Sequence, residues 1–394
     1  MDEELGALER NETWELTELP AHRKTLGCKW VYKIKYCSDG TIERHKMDVK
    51  NAFLQGDLME EIFMKIPPGY TAVTSPSQVC RLKKSIYGLK QSPRAWYTKL
   101  HDALIARGFS RSHSDHSLFT LHSGSGIIVL LVYVDDIIIT GSDSSGINDT
   151  KSYLHQVFDI KDLGSLKYFL GIEVCRVFDD LFLSQRKYVL DLLRETGKLG
   201  AKPVRTPIEE HFKDQREGEL LENAEQYRRV VGKLIYLTIT RPDLSFAVHQ
   251  VSQWMHAPTT FHWQMVDRIL KYLKGTPNKG LWMRRNKHTK IIAYCDADWA
   301  GDRSDRKSTT GYCTFVGGNL VTWKSKKQNV VSRSSAEAEY RAMANTTSEI
   351  VWLKQTLEEL RSRHLSLFLF IAITKRQCIS LLTRSSTKER NTSR

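Results

Sequence analysis

Apolar residues crowd most densely at "IIVLLVYVDDIIITG", residues 127–141, and the crowding breaks at its centre. Ile127 to Val134 and Ile137 to Thr140 are two β-rich runs abutting Asp135-Asp136, which predicts a β-hairpin with its tight turn at the paired aspartates. The run is too short to cross a bilayer, and charges at its midpoint would be expensive there. Residues 26–46, "LGCKWVYKIKYCSDGTIERHK", alternate polar and apolar around Asp39-Gly40 and predict another hairpin. "MDVKNAFLQGDL" (47–58) predicts a short strand entering a turn, and "PPGY" (67–70) a loop. In "RLKKSIYGLKQSPRAWYTKLHDALIARGF" (81–109) a Gly-containing turn precedes helical spacing through Trp96, Leu100, Leu104 and Ile105. "LGSLKYFLGIEV" and "LFLSQ" predict a strand pair, and "RKYVLDLLRETGKLG" an amphipathic helix closing at Gly197. Residues 201–225 are charged and poor in large apolar groups, which predicts a linker; a helical stretch follows, and then strand, hairpin and helix from "KIIAYCDADWAG" to "SSAEAEYRAMANTTSEIVWLKQTLEEL".

Composition narrows the partner. The chain has 394 residues, room for two or three domains, and a formal charge of +14, which points to a polyanion such as nucleic acid. Its 7 cysteines show no CxxC pair and no zinc spacing, so they read as reduced thiols of an intracellular protein. The acidic opening "MDEELGALERNETWEL" lacks the pattern of a signal peptide, and no stretch qualifies as a transmembrane helix.

Two readings of Asp135-Asp136 stand. Aspartate is at home in turns, so the pair can be purely structural. Alternatively, a rigid turn presents two carboxylates to divalent metal, and with a third they hold paired Mg²⁺ ions for in-line phosphoryl transfer. No Lys or Arg within the stretch offers an ion pair. Asp48, at a strand end in "MDVKNAF", is a candidate third carboxylate.

With that residue a resemblance becomes close. "MDVKNAFLQGDL", "RLKKSIYGLKQSPRAWY" and "LLVYVDDIII", in that order, resemble the reverse transcriptase of copia-type LTR retrotransposons, the plant members nearest. The likeness continues through "DLGSLKYFLGIEV", "VGKLIYLTITRPDLSFAVHQVSQ", "DADWAGD" and "STTGYCTFVGGNLVTWKSKKQNVVSRSSAEAEYRA", covering about residues 12–360. It implies an α+β chain: a right-hand polymerase palm and thumb with incomplete fingers, a connection segment and an incomplete RNase H-like α/β domain. The implied boundaries are 12–200 for the polymerase, 201–225 for the linker, 226–285 for the connection, 286–360 for the RNase H-like domain and 361–394 for a basic tail. Asp48 and Asp135 would bind both catalytic Mg²⁺ ions, with Asp136 in a lesser role. Phe53 stands where the family has an aromatic gate under the sugar; a core Phe is the other reading. Tyr87, Gly88, Lys90, Gln91 and Arg94, in and just after "YGLKQSP", would meet template and incoming nucleotide. Implied partners are an RNA template, a DNA primer, an RNA–DNA hybrid and dNTPs, with no membrane, in a cytoplasmic particle or the nucleus.

A second site follows from the same resemblance. "YCDADWAGD" puts Asp296 and Asp298 on one face at the end of a strand. Ser334 with Glu337 makes a capping box, and Glu337 can pair with Arg341, which accounts for Glu337 without chemistry. Glu339 matches the RNase H glutamate and Asp296 its first aspartate, together implying another two-metal site. The family's next aspartate lies in a "CDN" motif absent here. Residues 371–394 fit no fold signal and hold one acid, Glu389; back-translated in a shifted frame, the segment from "IAITKRQCIS" can spell the missing peptide, so a frameshift is expected. The family also has a long segment between "GTIERHK" and "MDVKNAF", whereas here Lys46 runs into Met47. That loss removes triphosphate-holding cations and leaves the register of the Asp48 strand unsecured. Weak or absent polymerase activity is therefore expected, and the competing reading is a catalytically dead nucleic-acid-binding retrotransposon relic.

Overall fold

The computed structural model describes residues 5–6, 8–9, 11–28, 46–49, 52–71, 75, 77–209, 218–360 and 369–372, with backbone alone at 46, 48 and 369–372. The chain divides into two compact units, Met1–Leu166 and Lys167–Arg394.

The first unit holds two sheets. One has the order β1 (Trp14–Glu18), β5 (Gln78–Lys84), β4 (Asp57–Met64), β2 (Thr25–Leu26), closed over a small core of Met64, Cys80 and Leu82. The other has six strands in the order β10 (Ile160–Asp162), β3 (Lys46–Val49), β9 (Asp136–Gly141), β8 (Gly126–Tyr133), β7 (Leu118–Ser123), β6 (Ser110–Arg111). Helices α1 (Ser92–Ala106) and α2 (Ser144–Val157) pack on it through Trp96, Leu100, Leu104 and Leu154, against Ile128, Leu130 and Ile137. Helix α2 starts where Asp143 accepts the Gly146 N–H at 2.9 Å, satisfying one of the amides a helix start leaves open.

The central hairpin forms as its β-branched runs predict, with one shift. Tyr133 pairs with Asp136, so the two turn residues are Val134 and Asp135, and Asp136 opens strand β9. The apolar alternation extends the ladder one residue further than a turn at both aspartates would allow. Strand β3 pairs on both edges, with β9 and with β10, so the Asp48 strand keeps a defined register. In α1, Trp96, Leu100 and Leu104 are buried as the spacing predicts, but Ile105 is exposed, one residue past the apolar stripe. The hairpin predicted over 26–46 lies largely outside the described residues.

The second unit also holds two sheets. One has the order β11 (Tyr168–Phe169), β12 (Ile172–Val177), β13 (Asp180–Ser184), β14 (Gly280–Met283). Between β13 and β14 run α3 (Arg186–Glu195), α4 (Ala224–Leu237), α5 (Ser245–Ser252) and α6 (Thr260–Gly275), around a core that includes Leu193, Val231, Leu234, Val251, Val266 and Leu273. The described part of 201–225 is no free spacer. Val204, Ile208 and Leu221 pack on this core, and the Leu221 N–H donates to the Pro258 carbonyl at 2.9 Å.

The last sheet runs β17 (Asn319–Lys327), β16 (Thr309–Val316), β15 (Ile291–Ala297), β18 (Leu369–Ala372), with β15 and β18 parallel and the others antiparallel. Helix α7 (Ser335–Glu359) lies between β17 and β18 in the chain. Strand β18 corrects the reading of the tail from 371: "LFIA" is a short apolar run, and it adds a parallel strand whose last pair is Cys295 with Ala372. The remainder of the tail lies outside the described residues. No helix among the described residues is long and apolar enough to cross a membrane.

Candidate active sites

Backbone register brings the residues of the first set together. Asp48 is the cross-strand partner of Asp136, and the next residue, Val49, donates its N–H to the Asp135 carbonyl at 2.9 Å. Asp136 is buried, whereas Asp135 stands exposed on the turn. The turn is held under strain. Val134 has φ 55°, a left-handed value that a β-branched residue rarely adopts, at a position where such hairpins favour glycine. Its carbonyl accepts the indole N–H of the buried Trp96 at 2.7 Å. One turn carbonyl is thus fixed by the helix and the other by the Asp48 strand. Trp96 itself sits where the backbone of α1 passes over Gly56. A Cβ built on Gly56 would lie 2.8 Å from the Trp96 nitrogen, so only glycine permits the approach.

Around this turn the remaining sequence candidates fall into two groups. Phe53, on a 3₁₀ turn at Ala52–Gln55, is half-buried against the core under the six-stranded sheet and tilts against the Tyr87 ring, centroids 5.8 Å apart. Tyr87 is 84% exposed. Gly88 takes φ 100°, open only to glycine in practice. Gln91 caps α1 and its amide donates to Glu60 at 3.0 Å, which gives it a structural partner. Lys90 and Arg94 are exposed and make no ion pair among the described residues. From Gln91 to Trp96 the helix rises about 7.5 Å, so these cations stand near the end of α1 that grips the turn.

The same turn occurs a second time. In "EVCRVFDDLFLS" Val177 pairs with Asp180, Phe178 takes φ 54°, and Asp179-Asp180 repeat the paired aspartates. Here an arginine meets them. Asp180 accepts the Arg285 N–H at 3.0 Å, and Asp179 accepts its guanidinium at 3.1 Å. Sequence reading missed this turn although its signal, two aspartates between β-rich runs, is the one that marked Asp135-Asp136. It serves as an internal control. A left-handed residue followed by two aspartates makes a hairpin by itself, and what differs is the partner: a cation at 179–180, another aspartate at 135–136.

In the second unit Asp296 lies on β15 opposite Gly311, whose missing side chain leaves that position open. Glu339 reaches it from α7, and the two carboxyls share a hydrogen bond. Burial, then the Asp296 charge, holds the Glu339 carboxyl above its usual range, although the Ala297 N–H pulls the other way. Its Oε2 is buried without a hydrogen-bond partner among the described residues. Two carboxyls pressed together with an open acceptor fit a cation. Half of the expected capping box forms: Ser334 accepts the Glu337 N–H at 3.1 Å, but the Glu337 carboxylate accepts the Arg333 N–H at 2.8 Å instead of that of Ser334, and pairs with Arg341 at 2.7 Å. Asp298 accepts the Thr309 N–H, so it braces the loop after β15. The residue following Ala372 is Ile373, and the one acid in 361–394 is Glu389, which lies outside the described residues.

Comparison with known proteins narrows the lineage. Residues 37–210 match the family described as "Reverse transcriptase (RNA-dependent DNA polymerase)". The chain is 43% identical to the Retrovirus-related Pol polyprotein from transposon RE1 of Arabidopsis thaliana, over 410 positions that cover 92% of this chain and 28% of that protein. It is 32% identical to the putative transposon Ty5-1 protein of Saccharomyces cerevisiae, covering 77% of this chain and 100% of that one. A foamy viral protease-reverse transcriptase solved with an RNA/DNA hybrid aligns with TM-score 0.46 and 14% identity, over 89% of this chain and 41% of that one. The chain thus spans 28% of the length of the Arabidopsis relative. The 410-position alignment is longer than this whole chain of 394 residues, so that relative carries stretches missing here.

Proposed function

The chain belongs to the reverse transcriptase family of copia-type retrotransposon Pol polyproteins, and from that premise we propose that its Asp48–Asp135–Asp136 cluster is built for RNA-directed DNA synthesis. The observation that carries the reading is the cross-strand pairing of Asp48 with Asp136 beside an exposed Asp135, which forms no ion pair among the described residues. Three acids at one strand-and-turn junction repel each other unless a cation sits among them. Asp48 and Asp135 would hold divalent metal, Mg²⁺ by family, with Asp136 in support. Such metal, when bound, would neutralise triphosphate charge and ease loss of the primer hydroxyl proton.

The protein's own groups would do the rest. Strands β3, β8 and β9 fix the turn, and Trp96 with Val49 holds both of its carbonyls, so Asp135 is aimed before substrate arrives. Lys90 and Arg94 would contact template or nucleotide phosphates. The Phe53–Tyr87 ring pair would line the path of the sugar and base. RNA template, DNA primer and dNTPs are the partners this assigns.

The RNase H-like part supports a weaker reading. Antiparallel β15–β16–β17, helix α7 and a parallel β18 fit that fold, and Asp296 with Glu339 would supply two of its metal ligands. The missing third acid favours hybrid binding without cleavage there.

Primer extension on a poly-rA template with Mg²⁺ tests the polymerase reading. Wild-type chain and Asp179→Asn should extend at the same rate, however low, and Asp135→Asn should not extend. Equal extension by all three, or none by any, would leave the relic reading.

A further inference from the structure

Three tips of the second unit are laced together at one edge. Arg285 joins the loop after β14 to the β12–β13 turn through Asp179 and Asp180. Asn319 accepts the Arg284 N–H at 2.7 Å and donates to the Arg284 carbonyl at 2.9 Å. Asn286 donates to the Gly317 carbonyl at 2.6 Å. A Cβ at Gly317 would meet the His288 carbonyl oxygen at 2.4 Å, so glycine is what lets the β16–β17 tip close on the loop. The result is a pinned ledge whose polar backbone groups are spent on one another.

What the ledge shows to solvent is different in kind. Phe178 is 95% exposed, and it holds this position in a left-handed conformation that bulky residues disfavour. Arg176, Arg284 and Lys287 are exposed and form no ion pair among the described residues. A bare aromatic ring on a stiff tip, with Arg176 on the same hairpin and Arg284 and Lys287 on the loop laced to it, suits a nucleic-acid strand whose bases are free to stack. Bases within a duplex are already stacked and offer the ring no face, so the single strand is favoured.

We propose that the ledge of Phe178, Arg176, Arg284 and Lys287 is a binding site for single-stranded nucleic acid, with a base on the ring and phosphates on the cations. It is separate from the carboxylate clusters and does not depend on metal. It therefore goes beyond the polymerase reading and stands or falls without it.

Fluorescence anisotropy on the full chain, in EDTA, with a labelled single strand of roughly 12 nucleotides and a blunt duplex, is the test. Phe178→Ala should weaken single-strand binding about tenfold, and Phe178→Trp should retain it. Duplex affinity should change by less than about twofold in Phe178→Ala, because stacking is its only loss. The pair Arg284→Ala and Lys287→Ala should flatten the plot of log affinity against log salt by about 1.4, roughly 0.7 for each phosphate no longer engaged. Binding is read in EDTA and without dNTPs, so failure of primer extension leaves this result untouched. Unchanged single-strand affinity in Phe178→Ala, or equal loss for duplex and single strand, would overturn the proposal. Unaltered oligonucleotide binding in every ledge variant would overturn it too.

Discussion

The hairpin turns at Tyr133–Asp136 and Val177–Asp180 share backbone, length and a pair of aspartates, yet they lie in opposite electrostatic surroundings. Each has a bulky residue in the left-handed region at its first turn position, Val134 and Phe178. At the second turn Arg285, more than 100 residues along the chain, pairs its guanidinium with Asp179 and donates its backbone N–H to Asp180. At the first, the strand beside the turn contributes Asp48. The lesson is that the X-Asp-Asp turn is a folding solution, and chemistry depends on what the fold sets against it. An arginine meets the second turn, whereas the proposed reading sets a third aspartate beside the first and gives that turn to a cation.

The two turns should differ most in their effect on rate. Asp135→Asn should lower Mg²⁺-dependent extension by about 10²-fold or more, the scale on which a charge-stabilising group matters. Asp179→Asn should leave it within about twofold, since removing one half of an exposed pair changes little. Equal losses would mean that the two turns differ less than their partners indicate.

Next comes the support of the turn. Trp96→Phe keeps most of the ring volume but removes the donor to the Val134 carbonyl. It should cost about 1 kcal/mol in urea unfolding and lower extension more than stability alone explains. Val134→Gly and Phe178→Gly relieve the same strain, each gaining up to about 1 kcal/mol. Only Val134→Gly should slow extension, because the proposed metal-binding aspartate lies on that turn alone.

A third effect concerns pH at Asp296 and Glu339. Glu339 has its pKa raised in the folded state, chiefly by burial and then by the Asp296 charge. Its stabilising share is therefore full below the ordinary glutamate pKa and lost as pH rises through the folded value. Glu339→Gln should match wild type in thermal melts at pH 4 and exceed it at pH 8. Divalent metal should raise the wild-type melting temperature more at pH 8 than at pH 5, and do so little in the variant. The smallest effect belongs to Arg285→Ala. The pair it breaks is exposed, so the loss should be about 0–1 kcal/mol and should fade in high salt.

Much of this was legible in the sequence where one short-range rule governs. The β-branched runs specified the central hairpin, Gly197 marked the end of α3 with φ 67°, and Ser334 with Glu337 marked the start of α7. Long-range partners were not legible. Nothing near Asp180 announces Arg285, and nothing in "LFIA" announces a parallel place beside β15. The first turn lies one residue from where propensity puts it, because Val134 by type belongs in a strand. Tertiary contacts from Trp96 and Val49 hold it in a conformation its side chain disfavours. Asp298 shares the alternation of Asp296, but beyond the strand end its carboxylate turns to Thr309. The approach of Gly56 to α1 depends on packing between segments that no local pattern records.

If the Asp135 turn gathers metal and the Asp179 turn does not, iron-directed cleavage will tell them apart. Replacing Mg²⁺ with Fe²⁺ and adding ascorbate and peroxide generates hydroxyl radicals at the metal, which cut the backbone within reach. Cuts are expected beside residues 48 and 135, lost in Asp135→Asn and kept in Asp179→Asn. Cuts centred on 179–180, or cuts at 135 that survive Asp135→Asn, would contradict this assignment.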